Sequence, residues 1–275
     1  MNLKTTLSLG VITLCAVACN DSEETPKVAD IAATYNGYSL ASCTYFQNSC
    51  SADESIVITE NTDGSALVTF SSDTWGTFTI NNAQMSENAG VYTLTGDGQT
   101  EKGMGDKKSA YDCTCSAVIK SKTDAQITFN VAGVMGGLTL DFFTGKAPAH
   151  LLLAGTYKGY SDADCSYFQD RYTDDESLKM TANEDGTLAV MFESATWCTF
   201  SVASATISET ADGYLLNGTG RVSMGMGNVT SDYDFTMEAS IDASKENYSF
   251  SFNVPAVMGG LTLTLASGTA PATEQ

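Results

Sequence analysis

Tyr111-Asp112-Cys113-Thr114-Cys115-Ser116-Ala117-Val118-Ile119 alternates residue by residue, and the alternation returns 122 residues later as Tyr233-Asp234-Phe235-Thr236-Met237-Glu238-Ala239-Ser240-Ile241. Odd positions are apolar in both stretches, while Asp112, Thr114 and Ser116, like Asp234, Thr236 and Glu238, take the other side. Successive side chains of a strand point to opposite faces, so each stretch is a strand with one buried and one wet face. Downstream, Ile127, Phe129 and Val131 match Phe250, Phe252 and Val254, and Leu138, Leu140 and Phe142 match Leu261, Leu263 and Leu265. Upstream the pattern is looser but agrees: Ile56/Ile58 with Leu178/Met180, Val68/Phe70 with Val190/Phe192, Phe78/Ile80 with Phe200/Val202, and Tyr92/Leu94 with Tyr214/Leu216.

The duplication extends to the turns. Thr34-Tyr35-Asn36-Gly37-Tyr38 returns as Thr156-Tyr157-Lys158-Gly159-Tyr160, Cys43-Thr44-Tyr45-Phe46-Gln47 as Cys165-Ser166-Tyr167-Phe168-Gln169, and Val134-Met135-Gly136-Gly137-Leu138 as Val257-Met258-Gly259-Gly260-Leu261. The offset of 122 to 123 residues exceeds any solenoid repeat and has the size of a domain. Asp63-Gly64 and Asp185-Gly186 supply the positive φ of a tight hairpin. Each copy thus holds about eight hairpin-linked strands, with no helical periodicity. Such a meander hides its edges best by closing into an up-and-down barrel. The Cys-Trp-Cys spacing of an immunoglobulin sandwich is missing, and outward Asp, Glu, Lys and Thr exclude the apolar band of a membrane pore. The expected fold is all-β, two tandem eight-stranded barrels.

The Tyr-x-Gly start, the Asp-Gly hairpin, the Tyr-x-Leu-x-Gly strands at Tyr92 and Tyr214 and the Met-Gly-Gly turn resemble the calycin-like β-barrel domains of bacterial lipoproteins. The resemblance covers Ile31 to Ala270 and implies lipocalin-like barrels without an assigned activity.

The termini point to the envelope. Lys4 precedes an apolar stretch, Leu7 to Ala18, that is too short to span a bilayer. Ala16-Val17-Ala18-Cys19 resembles a bacterial lipobox, which makes Cys19 the expected lipid attachment site. The acidic Asn20-Asp21-Ser22-Glu23-Glu24 resembles the tether of surface-displayed Gram-negative lipoproteins, or else is a solvated spacer. The expected organisation is a signal peptide over 1–18, a tether over 19–30, a barrel over 31–147, a linker over 148–153 and a second barrel over 154–275. The expected location is the outer membrane of a Gram-negative bacterium, held by the lipid. A net charge of −20 repels phosphate backbones and disfavours nucleic acid as a partner.

Six further cysteines in an exported chain are disulfide candidates. Cys165 and Cys198 are alone in the second copy and expected to pair. In the first, Gly76 stands at the Cys198 position, which leaves Cys43 and Cys50 to pair with Cys113 and Cys115 in either order. A four-cysteine zinc site lacks the paired Cys-x-x-Cys hooks, and no metal is expected there. Trp75 and Trp197 either cap a barrel end or offer an aromatic surface for a sugar or peptide. Asp53-Glu54 and Asp175-Glu176 read as solvated loop residues; Asp162, Asp164, Asp170 and Asp174 offer at most a weak Ca²⁺ site. Gly103-Met104-Gly105 and Gly225-Met226-Gly227 lack the lysine and helix of a phosphate loop and read as loops. His150 is the single histidine, and no Gly-x-Ser-x-Gly or His-Glu-x-x-His occurs, so neither catalysis nor a cofactor is expected. Two readings stay open: a carrier of a small hydrophobic ligand, and a surface interaction or adhesion module.

Overall fold

A computed structural model describes residues 26–104, 107–226 and 229–272. Cys19 and the signal segment lie outside them. The first barrel comprises β1 (Ala33–Ser42), β2 (Ser49–Glu60), β3 (Ala66–Ser72), β4 (Gly76–Asn88), β5 (Val91–Met104), β6 (Lys107–Ser121), β7 (Asp124–Val131) and β8 (Leu138–Thr144). The second comprises β9 (Gly155–Cys165), β10 (Phe168–Ala182), β11 (Leu188–Ser194), β12 (Cys198–Glu209), β13 (Gly213–Met226), β14 (Val229–Asp242), β15 (Tyr248–Val254) and β16 (Leu261–Ser267). Consecutive strands pair antiparallel throughout, and each barrel closes when its first strand pairs with its last.

The inward faces are those the alternation picks out. Cys115 sits opposite Phe129 and Phe129 opposite Leu140, all buried, whereas Asp112, Thr114 and Ser116 face solvent. The interiors are packed with rings. Phe70, Phe78, Phe129 and Phe142 pack with centroids 5.1–6.3 Å apart, and Phe192, Phe200, Phe235 and Phe252 with centroids 5.1–6.2 Å apart.

Two features depart from expectation. Gly103, Met104, Gly225 and Met226 are strand residues, not loop: Met104 pairs with Lys107 and Met226 with Val229, while Gly105 and Gly227 lie outside the described residues. Their glycines do not break the strands because the backbone there still finds ladder partners. The second departure is helix at the base of each barrel. A 3₁₀ turn, Val28–Asp30, precedes β1, and a five-residue helix, α1 (Ala149–Leu153), fills the connector before β9. Neither is long enough to show a period. Each is held by the first tyrosine of its barrel: the Tyr35 hydroxyl donates to the Ile31 carbonyl (2.7 Å) and that of Tyr157 to Leu153 (2.9 Å). Val28, Ile31 and Leu153 are thereby buried as plugs. The short connector keeps the barrels in contact: Lys146, just past β8, pairs with Glu209 of β12, and the Lys245 ammonium ties α1 to the second barrel by donating to the Leu152 carbonyl at 3.1 Å.

Candidate functional site

Glu54 and Glu176 share inward parity with Ile56/Ile58 and Leu178/Met180. Among the described residues they are the only buried acids, each 6% exposed. All four acids lie in strands and not in loops; Asp53 and Asp175 are solvated as expected, while these two are not. Asp53 and Asp175 adopt left-handed backbone (φ 58° and 59°) at a register shift in each barrel, and the glutamate that follows turns inward.

Each carboxylate belongs to a chain of hydrogen bonds ending under a tryptophan. The Ser72 hydroxyl donates to Glu54 Oε1 at 2.7 Å, and Ser39 to the same atom at 3.4 Å. Ser72 Oγ in turn accepts the amides of Thr74 (3.1 Å) and Trp75 (2.9 Å). The second barrel repeats this: Ser194 donates to Glu176 Oε1 at 2.7 Å and accepts from Thr196 and Trp197, both at 3.1 Å. The indole N–H of Trp75 reaches Ser51 Oγ (3.0 Å) and that of Trp197 reaches Thr173 Oγ1 (3.3 Å). Phe46 and Phe168 pack on the indoles at 5.8 and 5.9 Å. Both tryptophans therefore cap a barrel end. One member of the set differs: the Ser161 hydroxyl, matching Ser39, is buried without a hydrogen-bond partner. The sequence signal was present in the runs Glu54-x-Ile56-x-Ile58 and Glu176-x-Leu178-x-Met180, which put an acid on the inner face.

Burial raises the pKa of Glu54, against the serine bonds that lower it, with Asp73 and Asp53 adding to the rise. Burial likewise raises Glu176 against its bond from Ser194. A carboxyl whose folded pKa lies above its unfolded value binds its proton more tightly in the native state. Its contribution to stability is complete below the ordinary glutamate range and is lost as pH rises through the folded pKa. Glu54→Gln and Glu176→Gln are therefore expected to melt above wild type at about pH 7 and level with it at about pH 4. Thermal scans at the two pH values check this; an equal shift at both would assign the effect to packing.

Outside the barrels, a cleft of about 850 Å³ lies where the first barrel meets the second, lined among others by Asp53, Glu54, Asp73, Lys146, Tyr214 and Lys245. Its volume suits a small ligand, and both signs of charge line it. Asp162, Asp164 and Asp170 bring carboxylate oxygens within 4.8 Å of one another on the outside of the second barrel. Asp174 does not join them; it accepts the Ala270 amide. The first barrel has Leu40, Ser42 and Asn48 at the same places.

All six described cysteines are free thiols. Cys50 pairs in register with Leu40 on the outer face, whereas Cys113 and Cys115 point inward, so the barrel wall separates them. Cys43, just past the end of β1, is separated from Cys113 on β6 by two whole strands, β8 and β7. Cys198 is exposed beside inward Trp197, and Cys165 accepts the Tyr167 amide. Burial holds the thiols of Cys113 and Cys115 at about 11 and about 12, far from the nucleophilic thiolate. His150 lies in α1.

Two closed, eight-stranded antiparallel barrels with apolar interiors define a tandem protein of the lipocalin-shaped class. The chain belongs to the calycin-like β-barrel domain family, whose pattern it matches over residues 31–146 and 153–266. A candidate outer membrane protein of Bacteroides fragilis NCTC 9343 (BF2706) has a similar structure, with TM-score 0.62 and 24% identity over 88% of this chain and 99% of that one. A DUF3598-family protein of Nostoc punctiforme PCC 73102 overlays at TM-score 0.26, with 11% identity over 86% of this chain and 95% of its own. No curated protein matches the sequence.

Proposed function

We propose that the protein is a non-enzymatic lipoprotein of the Gram-negative outer membrane, anchored through Cys19, that binds a partner on its outer surfaces and not inside its barrels. The observation that carries this reading is the ring packing: in both barrels the space a lipocalin would give to ligand holds phenylalanines in mutual contact. A filled interior leaves the inter-barrel cleft and the loop-bearing ends for recognition. The lipobox-like run before Cys19 supports the anchor, and the similar Bacteroides fragilis protein is itself a candidate outer membrane protein. Absence of a nucleophile–base pair in the sequence and the structural use of both buried glutamates support a non-catalytic role.

Intact and native mass spectrometry of protein purified from membranes tests both halves. The expected species begins at Cys19, carries the acyl mass, and has no small molecule bound. A stoichiometric apolar ligand would overturn the outer-surface reading, and an unmodified N-terminus would overturn the anchor.

A further inference from the structure

Eight large apolar side chains stand exposed among the described residues, and four of them form a matched set: Tyr45 and Tyr167, each 80% exposed, and Met135 and Met258, 50% and 44% exposed. The other four are singular. Where one copy has Val57, Val118, Met191 or Leu215, the other has Lys179, Ser240, Thr69 or Thr93. Chance exposure thus goes to a polar residue in the other copy, while the Tyr/Met set stays apolar in both.

The turns do not call for methionine. Met135 and Met258 occupy left-handed backbone (φ 51° and 49°), a conformation that favours glycine or asparagine. Neither tyrosine hydroxyl has a hydrogen-bond partner among the described residues, and neither ring has a ring contact. The loop that carries each tyrosine is nevertheless tied to the turn that carries its methionine. The Thr44 hydroxyl donates to the Gly136 carbonyl (3.2 Å) and that of Ser166 to Gly259 (3.0 Å), so the β1–β2 loop is stitched to the β7–β8 turn and the β9–β10 loop to the β15–β16 turn. Phe46 and Phe168, next in sequence, anchor the loops against the tryptophan caps. Loops tied down in advance add little backbone ordering cost to binding, and aromatic residues and methionine are enriched at the centres of interfaces.

Charge selects the partner. The stretch 162–175 around Tyr167 holds Asp162, Asp164, Asp170, Asp174 and Asp175 against Arg171, whose guanidinium is stacked over Phe168 and Trp197 at 5.5 and 5.8 Å. The equivalent stretch 40–53 around Tyr45 holds only Asp53. With −20 on the whole chain, anionic lipid and nucleic acid are repelled, and an apolar segment flanked by basic residues is favoured.

We propose that Tyr45 with Met135 and Tyr167 with Met258 form two equivalent docking patches for a polypeptide segment that is apolar and basic, the second patch being the more charge-dependent. The proposal rests on the outer-surface reading above and names its surface and partner.

The probe is a short fluorescein-labelled peptide alternating leucine and lysine, titrated by anisotropy into the full chain at low and high salt, with a serine–lysine peptide as control. Two binding sites are expected. Tyr45→Ser with Met135→Ser should remove one, and Tyr167→Ser with Met258→Ser the other, each by about tenfold or more in affinity, with unchanged melting because all four side chains are exposed. Added salt should weaken the site left in the Tyr45/Met135 variant more than the site left in the Tyr167/Met258 variant. Equal binding by wild type and the fourfold variant, or by the serine–lysine control, would reduce the effect to bulk charge and overturn the proposal. Binding to zwitterionic vesicles that the fourfold variant loses would assign the patches to a membrane instead. Failure here leaves the inter-barrel cleft open as an outer site, whereas an internal ligand seen by native mass spectrometry would strike the outer-surface reading itself.

Discussion

Phe129→Ala is expected to cost the first barrel about 3–5 kcal/mol, the loss that follows when a fully buried phenylalanine leaves a cavity behind. Phe129 is the hub of its barrel: its ring lies 5.1 Å from Phe78 and 5.9 Å from Phe70, between Cys115 and Leu140 in register. Those neighbours belong to a closed sheet and cannot collapse far into the space. Phe252 holds the same place in the second barrel, 5.1 Å from Phe200 and 5.8 Å from Phe192 and Phe235, so each barrel serves as the other's control. Calorimetry should show the Phe129→Ala transition of the first barrel moved down by more than about 10 °C, with the second barrel's close to wild type. The result also bears on function. A hollow, ligand-carrying barrel would lose little from a truncated wall residue, so a shift of only a degree or two would restore the carrier reading.

How far the sequence reveals this molecule depends on the length of the pattern that carries each feature. Strand alternation over nine residues, twice, defines the inward faces, because register cannot slip by one without exposing Phe129 and burying Asp112. The acids of Glu54 and Glu176 were misread because their type outweighed their parity. Read as positions in a period of two, they belong inside with Ile56 and Leu178; the serines that bond them stand on neighbouring strands, 15 and 18 residues away for Glu54 and 18 for Glu176. Trp75 and Trp197 are a case where a turn overrides parity. Parity counted back from Phe78 and Phe200 places them outside, but Gly76 and Cys198 take left-handed backbone (φ 70° and 72°), and that single reversal lets the tryptophans close the barrel end. The same geometry gives Gly76 a backbone reason to be glycine, independent of any thiol lost from the first copy. The helices at the barrel base were illegible for a simpler reason: three and five residues carry no period.

Gly37→Ala is expected to open the first barrel. Gly37 recurs as Gly159 in the repeated Tyr-x-Gly-Tyr run, and its φ is not among the positive ones, so space and not backbone freedom is what it supplies. It lies on the closing strand, opposite Glu54 on one side and Thr144 on the other, where a Cβ would stand 1.9 Å from the Phe143 carbonyl oxygen. The obstacle is backbone, which no rotamer change relieves. Either β1 parts from β8, losing the ladder that closes the sheet, or the register shifts and carries Tyr35 and Ser39 off the inner face. Both outcomes exceed ordinary overpacking, and a loss of about 3 kcal/mol or more is expected. Gly159→Ala should do the same to the second barrel, since its Cβ would meet the Ala266 carbonyl oxygen at 1.9 Å. Gly64→Ala is the matched control: φ is +84° but nothing lies within 4 Å, so it should cost only about 1 kcal/mol of backbone strain. Parted edges would also be free to pair with other chains, so the Gly37 variant should aggregate on mild heating where the Gly64 variant stays soluble. Calorimetry with light scattering on the three variants separates these outcomes. A Gly37 variant that melts like the Gly64 variant would mean that the seam between β1 and β8 is not what closes the barrel.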